Sequence, residues 1–266
     1  MERVRSGDAE IVYEVRGSGP PVVLLHPFPC DHTFWFPVAA ALESRYQLIL
    51  PDLRGHGESE IGEGPALMSK HAADIARVLE AAGVGKAAIV GCSIGGYILF
   101  EFWRRFRERV NALVLCDTRP QADSDEARVN RMKAAAAVLE QGTEPFLESM
   151  IPKLMGRTTT GTRPDLVAGA RAMMRRMSAE DVNLVQRGMA ERKDSVADLK
   201  TVNVPTLIAI GEEDVLSTVA DGELMRQNIA GSQLKVIPKA GHYAPWEQPE
   251  AVGPLLRGFL DGVGGR

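Results

Sequence analysis

Residues 91–95 of the chain, Gly-Cys-Ser-Ile-Gly, fit the pattern Gly-x-Ser-x-Gly. They follow a short run rich in Ala, Ile and Val and precede an apolar run with helical spacing, which is the strand, turn and helix context that the pattern requires. A serine at the apex of so tight a turn needs small neighbours two residues away, and glycine stands at both positions. The hydroxyl of Ser93 then projects above the sheet, and the N–H of Ile94 points at a developing oxyanion. The pattern predicts a nucleophilic serine for acyl transfer.

A serine hydroxyl is a weak nucleophile unless a base removes its proton, so a neutral imidazole must come within hydrogen-bond reach. The chain has five histidines. His242 follows the last predicted strand in a late loop, where it can reach over the strand ends, and we predict that it is the general base. For the other four we expect structural or solvated roles; these are His26, His32, His56 and His71.

The base needs an acidic partner that fixes its tautomer and stabilises the imidazolium. Asp214 follows a predicted strand and precedes His242, which gives the chain order Ser, Asp, His typical of this strand, turn and helix arrangement. We therefore predict Asp214 as the acid. Asp117, at the end of an earlier predicted strand, stays the alternative.

A second donor to the oxyanion is expected from the loop after the first buried strand, residues 26–29, His-Pro-Phe-Pro. Proline has no N–H, so Pro27 and Pro29 cannot donate. Phe28 is the remaining donor among residues 27–29, and its ring would also form a wall of the pocket.

Strand-like and helix-like runs alternate in the first half of the chain, which predicts an α/β fold with a mostly parallel central sheet flanked by helices. An alternating run at residues 10–15 is typical of an edge strand with one wet face. Residues 69–82 have the spacing of a crossover helix, with Ser69 as its N-cap. Nearly continuous runs of Val, Ile and Leu predict strands buried on both faces; they are residues 21–25, 46–50, 86–90 and 110–115.

Strand-like runs vanish over residues 119–200, which we interpret as an inserted helical cap on a core made of residues 1–118 and 201–266. Gly142 and the stretch 158–162 are expected to break its helices. The predicted cap helices are residues 126–140, 144–154, 165–177 and 179–192. The α/β pattern then resumes, with strands predicted at 206–210 and 234–237 and helices at 219–229 and 249–260.

The composition is that of an ordinary globular chain of 266 residues, with 45% hydrophobic and 25% charged residues. A net charge of −4 disfavours nucleic acid as a partner. No apolar run is long enough to span a membrane, and the N-terminus lacks the apolar core of a secretory signal, so we expect a cytoplasmic protein. Three cysteines without metal-ligand spacing predict reduced thiols and neither a disulfide framework nor a zinc site; they are Cys30, Cys92 and Cys116.

Five segments together resemble those of α/β-hydrolase-fold enzymes and cover the whole core in the right order. They are HPFP at residues 26–29, PDLRGHGES at 51–59, GCSIGG at 91–96, GEED at 211–214 and AGHYAPWEQPE at 240–250. Within that superfamily the chain is similar to small bacterial carboxylesterases, cofactor-free perhydrolases and 3-oxoadipate enol-lactonases.

The resemblance implies a catalytic triad of Ser93, Asp214 and His242, an oxyanion hole made by the N–H groups of Phe28 and Ile94, and no metal or organic cofactor. Serine in place of aspartate at residue 93 disfavours dehalogenase and epoxide hydrolase chemistry. The chain departs from the family pattern at two positions. Pro27 replaces the glycine that usually follows the first histidine, and Ser217 replaces a proline that commonly follows the acid-bearing turn.

Seven of the ten methionines lie in the cap region, where adaptable thioether side chains could accept varied apolar groups or simply fill gaps between helices. Arg119 and Arg157 are candidates for binding a substrate carboxylate, as an enol-lactonase would need. The residues predicted to line the substrate pocket are Trp35, Arg119, Met132, Met150, Met155 and Met173.

These features favour a carboxylic ester hydrolase that cleaves small esters or lactones through an acyl-enzyme intermediate. Two alternatives use the same triad, namely hydrolysis of a carbon–carbon bond in a ring-cleavage product and perhydrolysis. A third is a protein that senses a small ligand with slow turnover. The expected partner is a small ester or lactone, and neither nucleic acid nor a membrane is expected to bind. The sequence leaves open whether the protein forms a homodimer.

Overall fold

The computed structural model describes residues 1–264, in which eight strands form one sheet. The strands are β1 (Glu2–Ser6), β2 (Ala9–Arg16), β3 (Pro21–Leu25), β4 (Gln47–Pro51), β5 (Ala87–Cys92), β6 (Val110–Cys116), β7 (Thr206–Gly211) and β8 (Gln233–Ile237). The helices are α1 (Phe36–Ala39), α2 (Met68–Ala81), α3 (Ile94–Phe106), α4 (Asp125–Gln141), α5 (Glu144–Leu154), α6 (Arg157–Thr162), α7 (Pro164–Met174), α8 (Ala179–Ala190), α9 (Val219–Asn228), α10 (Ala244–Glu247) and α11 (Pro249–Gly264).

The strand order is β1-β2-β4-β3-β5-β6-β7-β8, and every pair from β4 to β8 is parallel. Only the β1–β2 and β2–β4 pairs are antiparallel. The mostly parallel sheet and its α/β class are confirmed. Parallel strands place their carboxyl ends along one edge of the sheet, which is where ligands bind in such folds.

Side chains of the central strands alternate between two apolar layers. Val23 and Ile89 pack in the layer formed with α2 and α3. Val22 and Val90 pack in the opposite layer, formed with α1 and α11. Burial on both faces explains why these strands are nearly continuous in Val, Ile and Leu and why the sequence predicted them within one or two residues.

The predicted edge strand is not at the edge. β2 lies between β1 and β4, and its residues Ile11, Val12 and Tyr13 are all buried. The loop after β4 lies against this strand, since the Val12 N–H donates to Ser59 Oγ across 2.9 Å. On this side of the sheet the edge strand is β1, with the sequence Glu-Arg-Val-Arg-Ser. Its charged side chains are typical of an edge strand, and it lacks the apolar alternation by which a strand is predicted.

Two local predictions about helices were wrong. Helix α2 begins at Met68, with Leu67 at the N-cap and no side-chain cap, so Ser69 does not cap it. The stretch 158–162, predicted as a break, forms most of helix α6. Its N-terminus is capped from elsewhere in the chain, because the carboxylate of Glu213 accepts hydrogen bonds from the N–H and hydroxyl of Thr158.

Helices α4 to α8 all lie between β6 and β7 in the sequence, and residues 119–200 contain no strand. Within this segment α4 packs against α8, and α5 and α6 both pack against α7. The segment thus has its own helix contacts while entering and leaving the sheet at neighbouring strands. No helix of residues 1–264 combines the length and the apolar character needed to cross a membrane.

Candidate active site

Ser93 sits at the sharp turn between β5 and α3, with φ 54° and ψ −112°. Two small neighbours are required there. A Cβ on Gly91 would lie 2.5 Å from the carbonyl of Gly95, and a Cβ on Gly95 would lie 2.6 Å from the carbonyl oxygen of Leu25. Backbone hydrogen bonds hold the strained serine, since its N–H donates to the carbonyl of Cys116 across 3.0 Å.

The three predicted triad side chains are in hydrogen-bond contact. His242 Nε2 lies 2.7 Å from Ser93 Oγ, and His242 Nδ1 lies 2.8 Å from Asp214 Oδ2. An ionised carboxylate only accepts, so Nδ1 carries the proton and Nε2 is left as the acceptor for the serine hydroxyl. All three side chains are largely buried, with 8%, 6% and 2% exposure for Ser93, Asp214 and His242. The arrangement has the geometry of a nucleophile, a base and an orienting acid.

Asp214 is fixed by the turn that carries it. Its Oδ1 accepts the N–H of Leu216 across 2.8 Å and that of Ser217 across 3.0 Å. Oδ2 is thereby left for the imidazole of His242. Serine at residue 217 supplies an N–H that the proline common in the family could not supply.

Asp117, the alternative acid, has another position. It ends β6 and is fully buried, and its two oxygens accept the N–H groups of Gly211 and Ala244 rather than contacting His242. Burial, together with the nearby charge of Asp214, raises the pKa of Asp117 well above its usual range. The structure therefore brings Asp214 to the imidazole and uses Asp117 to hold the adjoining backbone.

Sequence reasoning missed a second buried carboxyl group at the site. Glu247 Oε1 accepts the N–H groups of Gly241 and Tyr243, on either side of the base, at 2.9 and 3.2 Å. Its Oε2 accepts the N–H of Gly156, just before α6, at 2.8 Å. Burial raises the pKa of Glu247. This side chain ties the loop of His242 to the helical segment.

Phe28 and Ile94, whose N–H groups were predicted to form the oxyanion hole, both lie at the carboxyl edge of the sheet. Ile94 is the first residue of α3, so its N–H is one of the unpaired donors at the helix N-terminus. The Phe28–Pro29 peptide is cis, and the carbonyl of Phe28 accepts the hydroxyl of Tyr243 across 2.9 Å. Within residues 1–264 neither N–H has a protein acceptor, as an oxyanion hole requires, and their role stays a prediction.

His26 holds the loop that carries Phe28. Its Nδ1 lies 3.0 Å from the carbonyl of Pro27, and its Nε2 lies 2.9 Å from the N–H of Leu53. These contacts fit a single neutral tautomer that donates from Nδ1 and accepts at Nε2. Burial lowers the pKa of His26, which favours that neutral form. Proline at residue 27, in place of the glycine usual in the family, thus keeps the backbone carbonyl to which His26 donates.

The remaining histidines lie outside the Ser93 contact. His32 Nδ1 is 2.7 Å from Asp52 Oδ1, and His56 Nδ1 is 3.0 Å from the carbonyl of Arg54. His71 is buried in α2. His56 and His71 are buried, and none of the three side chains lines the cavity that contains Ser93.

Asp31, His32 and Asp52 are the described residues whose potential metal-ligand atoms come within 4.8 Å of one another. Their oxygens and nitrogen already have partners, since Asp31 pairs with Arg176 and Asp52 with the imidazole of His32. The cluster is an ion-pair network in which Arg176, just after α7, is joined to Asp31 in the core.

A cavity of about 320 Å³ opens onto Ser93 and His242. Its apolar wall is formed by Phe28, Phe146, Met150, Leu154, Met189 and Leu216. Its polar wall is formed by Arg119, Asp123, Asn130, Arg131, Lys153 and Gln186. A larger surface groove of about 810 Å³, lined in part by Asn111 and Leu260, contains none of the triad side chains.

The structure places Arg119 and Met150 on the cavity wall and four other predicted pocket residues away from it, which corrects the prediction for those four. Trp35 is fully buried and packs edge-to-face on Phe34. Met132 is exposed on α4. Met155 and Met173 are buried in the apolar layer with α1 and α11. Composition placed methionines in the right segment but could not say which way each one faces.

The spacing of apolar residues on α5 could have predicted more of the apolar wall of the cavity. Phe146, Met150 and Leu154 are spaced four residues apart, so they share one face of the helix, and all three line the cavity. Arg157, the other candidate for binding a carboxylate, is 89% exposed and does not line it.

Comparison with known proteins gives one family and several relatives. The profile of a family described as the alpha/beta hydrolase fold matches residues 20–249. The chain is 27% identical to 3-oxoadipate enol-lactonase 1 of Acinetobacter baylyi, over 92% of this chain and 90% of that protein. It is 28% identical to a putative carbamate hydrolase of Azorhizobium caulinodans, over 97% and 98%. A thermophilic esterase from Thermogutta terrifontis, solved with malate bound, has a TM-score of 0.95 and 38% identity and covers 99% of both chains.

Proposed function

The chain belongs to the alpha/beta hydrolase fold family, and from this premise we propose that it is a serine hydrolase that cleaves small carboxylic esters or lactones. The observation that carries the proposal is the continuous contact from Asp214 through His242 to Ser93 at the end of a cavity. Relatives named as an esterase and an enol-lactonase act on this bond type, and their similarity extends over nearly the whole chain, which supports the proposal.

In the proposed acylation step, the oxygen of Ser93 forms a bond to the carbonyl carbon while His242 Nε2 takes the hydroxyl proton. Asp214 stabilises the imidazolium that results. The carbonyl π electrons move onto the oxygen, and in this proposal the N–H groups of Phe28 and Ile94 donate to it. When the tetrahedral intermediate collapses, the ester C–O bond breaks and His242 returns the proton to the leaving alkoxide. The product alcohol leaves and the acyl group stays on Ser93.

Deacylation repeats these steps with water as the nucleophile. His242 takes a proton from a water molecule, the hydroxide oxygen attacks the acyl carbon, and the C–O bond to Ser93 breaks as the serine recovers its proton. A lactone follows the same path except that its alcohol remains attached to the acyl group. The small cavity, of about 320 Å³, fits short acyl groups.

The decisive test compares Ser93→Ala with the unmodified protein in the hydrolysis of 4-nitrophenyl butyrate. We expect Ser93→Ala to lower kcat by about 10⁴- to 10⁶-fold, because no other group replaces the nucleophile. A fluorophosphonate probe should label the unmodified protein at Ser93 and should not label the variant. Ser232→Ala is the matched control, since Ser232 lies after α9 and outside the cavity wall. Turnover by Ser93→Ala close to that of the control would refute the proposal.

The same proteins separate the alternative uses of the triad. Sustained turnover of simple esters excludes a slow ligand sensor, which would show a burst followed by a retained product. Faster turnover of a dienoate ring-cleavage product than of any ester would favour carbon–carbon bond hydrolysis. Peracid formation in the presence of hydrogen peroxide and a carboxylic acid would show that perhydrolysis accompanies hydrolysis.

A further inference from the structure

The polar wall of the Ser93 cavity carries an excess of positive charge. Among the described residues that line it, Arg119, Arg131 and Lys153 are cationic, and Asp123 is the only carboxylate. The protein as a whole is acidic, with a net charge of −4, so this local excess runs against the average. A cationic wall next to a nucleophile selects for an anionic ligand.

The one carboxylate is already shared. Asp123 Oδ2 accepts Arg131 Nε across 2.6 Å, and Asp123 Oδ1 lies 2.8 Å from Nη1 of the buried Arg192. Burial opposes the ionised form, but these guanidinium groups outweigh it and lower the pKa of Asp123. Asp123 therefore supplies one negative charge to a cluster that also includes Arg119, and the cluster keeps a net positive charge. Glu101, which lines a small neighbouring pocket together with Arg119 and Arg192, is paired with Arg104.

Arg131 and Arg192 have further acceptors. Arg131 Nη1 donates to Gln186 Oε1 across 3.0 Å. Arg192 donates to the carbonyls of Gln121 and Met189, and its guanidinium lies 4.2 Å from the centre of the Tyr97 ring.

Arg119 is less well satisfied. Its one protein contact is Nη2 to Asp123 Oδ1, at 3.4 Å, which is long for a charge-assisted hydrogen bond. Its Nε is buried and has no acceptor among residues 1–264. A guanidinium carries five N–H donors, and leaving a buried donor unpaired is unfavourable. Of the three arginines in the cluster, Arg119 has the fewest protein acceptors, and its side chain lines the cavity.

The apolar wall defines the rest of the ligand. Phe28, Phe146 and Leu216 line the cavity together with Ser93 and Arg119. A ligand that fills the cavity would therefore have a reactive carbonyl at the serine, a short apolar chain and an anionic group at the arginine. A planar carboxylate matches the planar fork of a guanidinium with two parallel hydrogen bonds.

We propose that the substrates of this site are esters or lactones that also carry a carboxylate, and that Arg119 binds that carboxylate. This rests on the function proposed above. Arg131 and Arg192 keep Asp123 occupied, so that the free donors of Arg119 remain available to the substrate.

The test uses two ethyl esters of the same shape, monoethyl succinate and ethyl 4-methylpentanoate, which differ by a carboxylate in place of an isopropyl group. We expect the unmodified protein to have the higher kcat/KM for monoethyl succinate. Arg119→Met should lower that kcat/KM by about 10- to 100-fold, the usual worth of hydrogen bonds to a charged group. The loss in kcat/KM for ethyl 4-methylpentanoate should be smaller, because that ester has no carboxylate for Arg119 to bind. Arg157→Met is the matched control, because Arg157 is exposed and off the cavity wall.

Equal losses for both esters in Arg119→Met would show a structural role for the arginine and overturn the proposal. If Arg119→Met does not fold, inhibition of the unmodified protein by succinate tests the proposal instead. Succinate should then inhibit hydrolysis of ethyl 4-methylpentanoate competitively and about 10-fold more strongly than the uncharged succinamide does, and less so as salt is added. Equal inhibition by succinate and succinamide would overturn the proposal. If hydrolysis requires Ser93 but the protein shows no preference for the ester with a carboxylate, this inference alone is rejected. If Ser93→Ala still turns over esters, the proposed function is rejected.

Discussion

The carboxyl group of Asp117 accepts a hydrogen bond from the N–H of Gly211 across 2.7 Å. Its second oxygen accepts the N–H of Ala244 across 3.0 Å. Gly211 ends the strand that leads to Asp214, and Ala244 lies two residues after His242. One buried side chain thus holds together the two segments that bring the acid to the base.

Asp117→Asn should separate this positioning role from catalysis. A side-chain amide has one acceptor oxygen, so its NH₂ group must face one of the two backbone donors, and a buried hydrogen bond is lost. We expect the free energy of unfolding to fall by about 1–3 kcal/mol, measured by urea denaturation. We also expect kcat for 4-nitrophenyl butyrate to fall with little change in KM. Unaltered stability and kcat would show that the two segments are held by other contacts.

Asp214→Asn should reduce kcat far more than it reduces stability. The amide NH₂ would donate to His242 Nδ1, which moves the imidazole proton to Nε2 and leaves nothing to accept the proton of Ser93. A loss in kcat of about 10⁴-fold is the expected size for such a change of tautomer. Glu212→Gln is the control, since Glu212 is an exposed neighbour in the same turn. A loss below about tenfold would mean that the carboxylate of Asp214 does not orient the base.

Much of this site could be predicted because its signals are local. The turn around Ser93 is specified by two glycines between a strand and a helix. Asp214 follows the buried strand β7, and His242 follows the more exposed strand β8, both of which the sequence predicted. The positions of strand ends along one edge of a parallel sheet then bring the three side chains together. The choice between Asp214 and Asp117 needed coordinates, because both follow a strand.

The features that the sequence did not predict depend on contacts distant in the chain. β1 is a strand because its backbone pairs with β2, whereas its side chains are mostly charged. Helix α6 forms where threonines and a glycine predicted a break, because Glu213 caps it from the turn of the acid. The direction of each cap methionine is set by helix packing, which composition does not record.

Buried histidines should make the protein sensitive to acid. Burial, together with the adjacent His26, lowers the pKa of His56 to about 3, from an ordinary value near 6.5. In that interval the unfolded chain binds a proton at residue 56 that the folded protein does not bind. The contribution of His56 to the free energy of unfolding is therefore fully present above about pH 6.5. It is lost as the pH falls toward 3, by up to about 1.4 kcal/mol per pH unit.

In His56→Asn, residue 56 can no longer bind a proton when the chain unfolds. We expect this variant to be less stable than the unmodified protein at pH 7.5, because a packed ring is lost. The difference in the free energy of unfolding should shrink as the pH is lowered from 6.5 to 4.5, measured by urea denaturation at each pH. Parallel stability curves over that range would show that His56 is protonated in the folded protein as readily as in the unfolded chain.

Glu247→Gln should release the helical segment while leaving the loop of the base in place. Glu247 Oε1 accepts two N–H groups, those of Gly241 and Tyr243, whereas Oε2 accepts that of Gly156, and the side chain of Thr159 in α6 also contacts the carboxyl group. A glutamine is expected to turn its single carbonyl oxygen toward the two donors, which leaves its NH₂ group facing the N–H of Gly156. The hydrogen bond at the start of α6 is then lost while those to the loop of the base remain, at a cost of about 1–3 kcal/mol in local stability.

Hydrogen exchange is the direct measurement of that release. The N–H of Thr160 donates to the carbonyl of Gly156 in the first turn of α6, and it should exchange about 10- to 100-fold faster in Glu247→Gln. Amides of the central strand β5 should keep their protection. Glu250→Gln, on the exposed face at the start of α11, is the control. If α6 keeps its protection and β5 loses it, Glu247 stabilises the core and does not anchor the helical segment to the loop of His242.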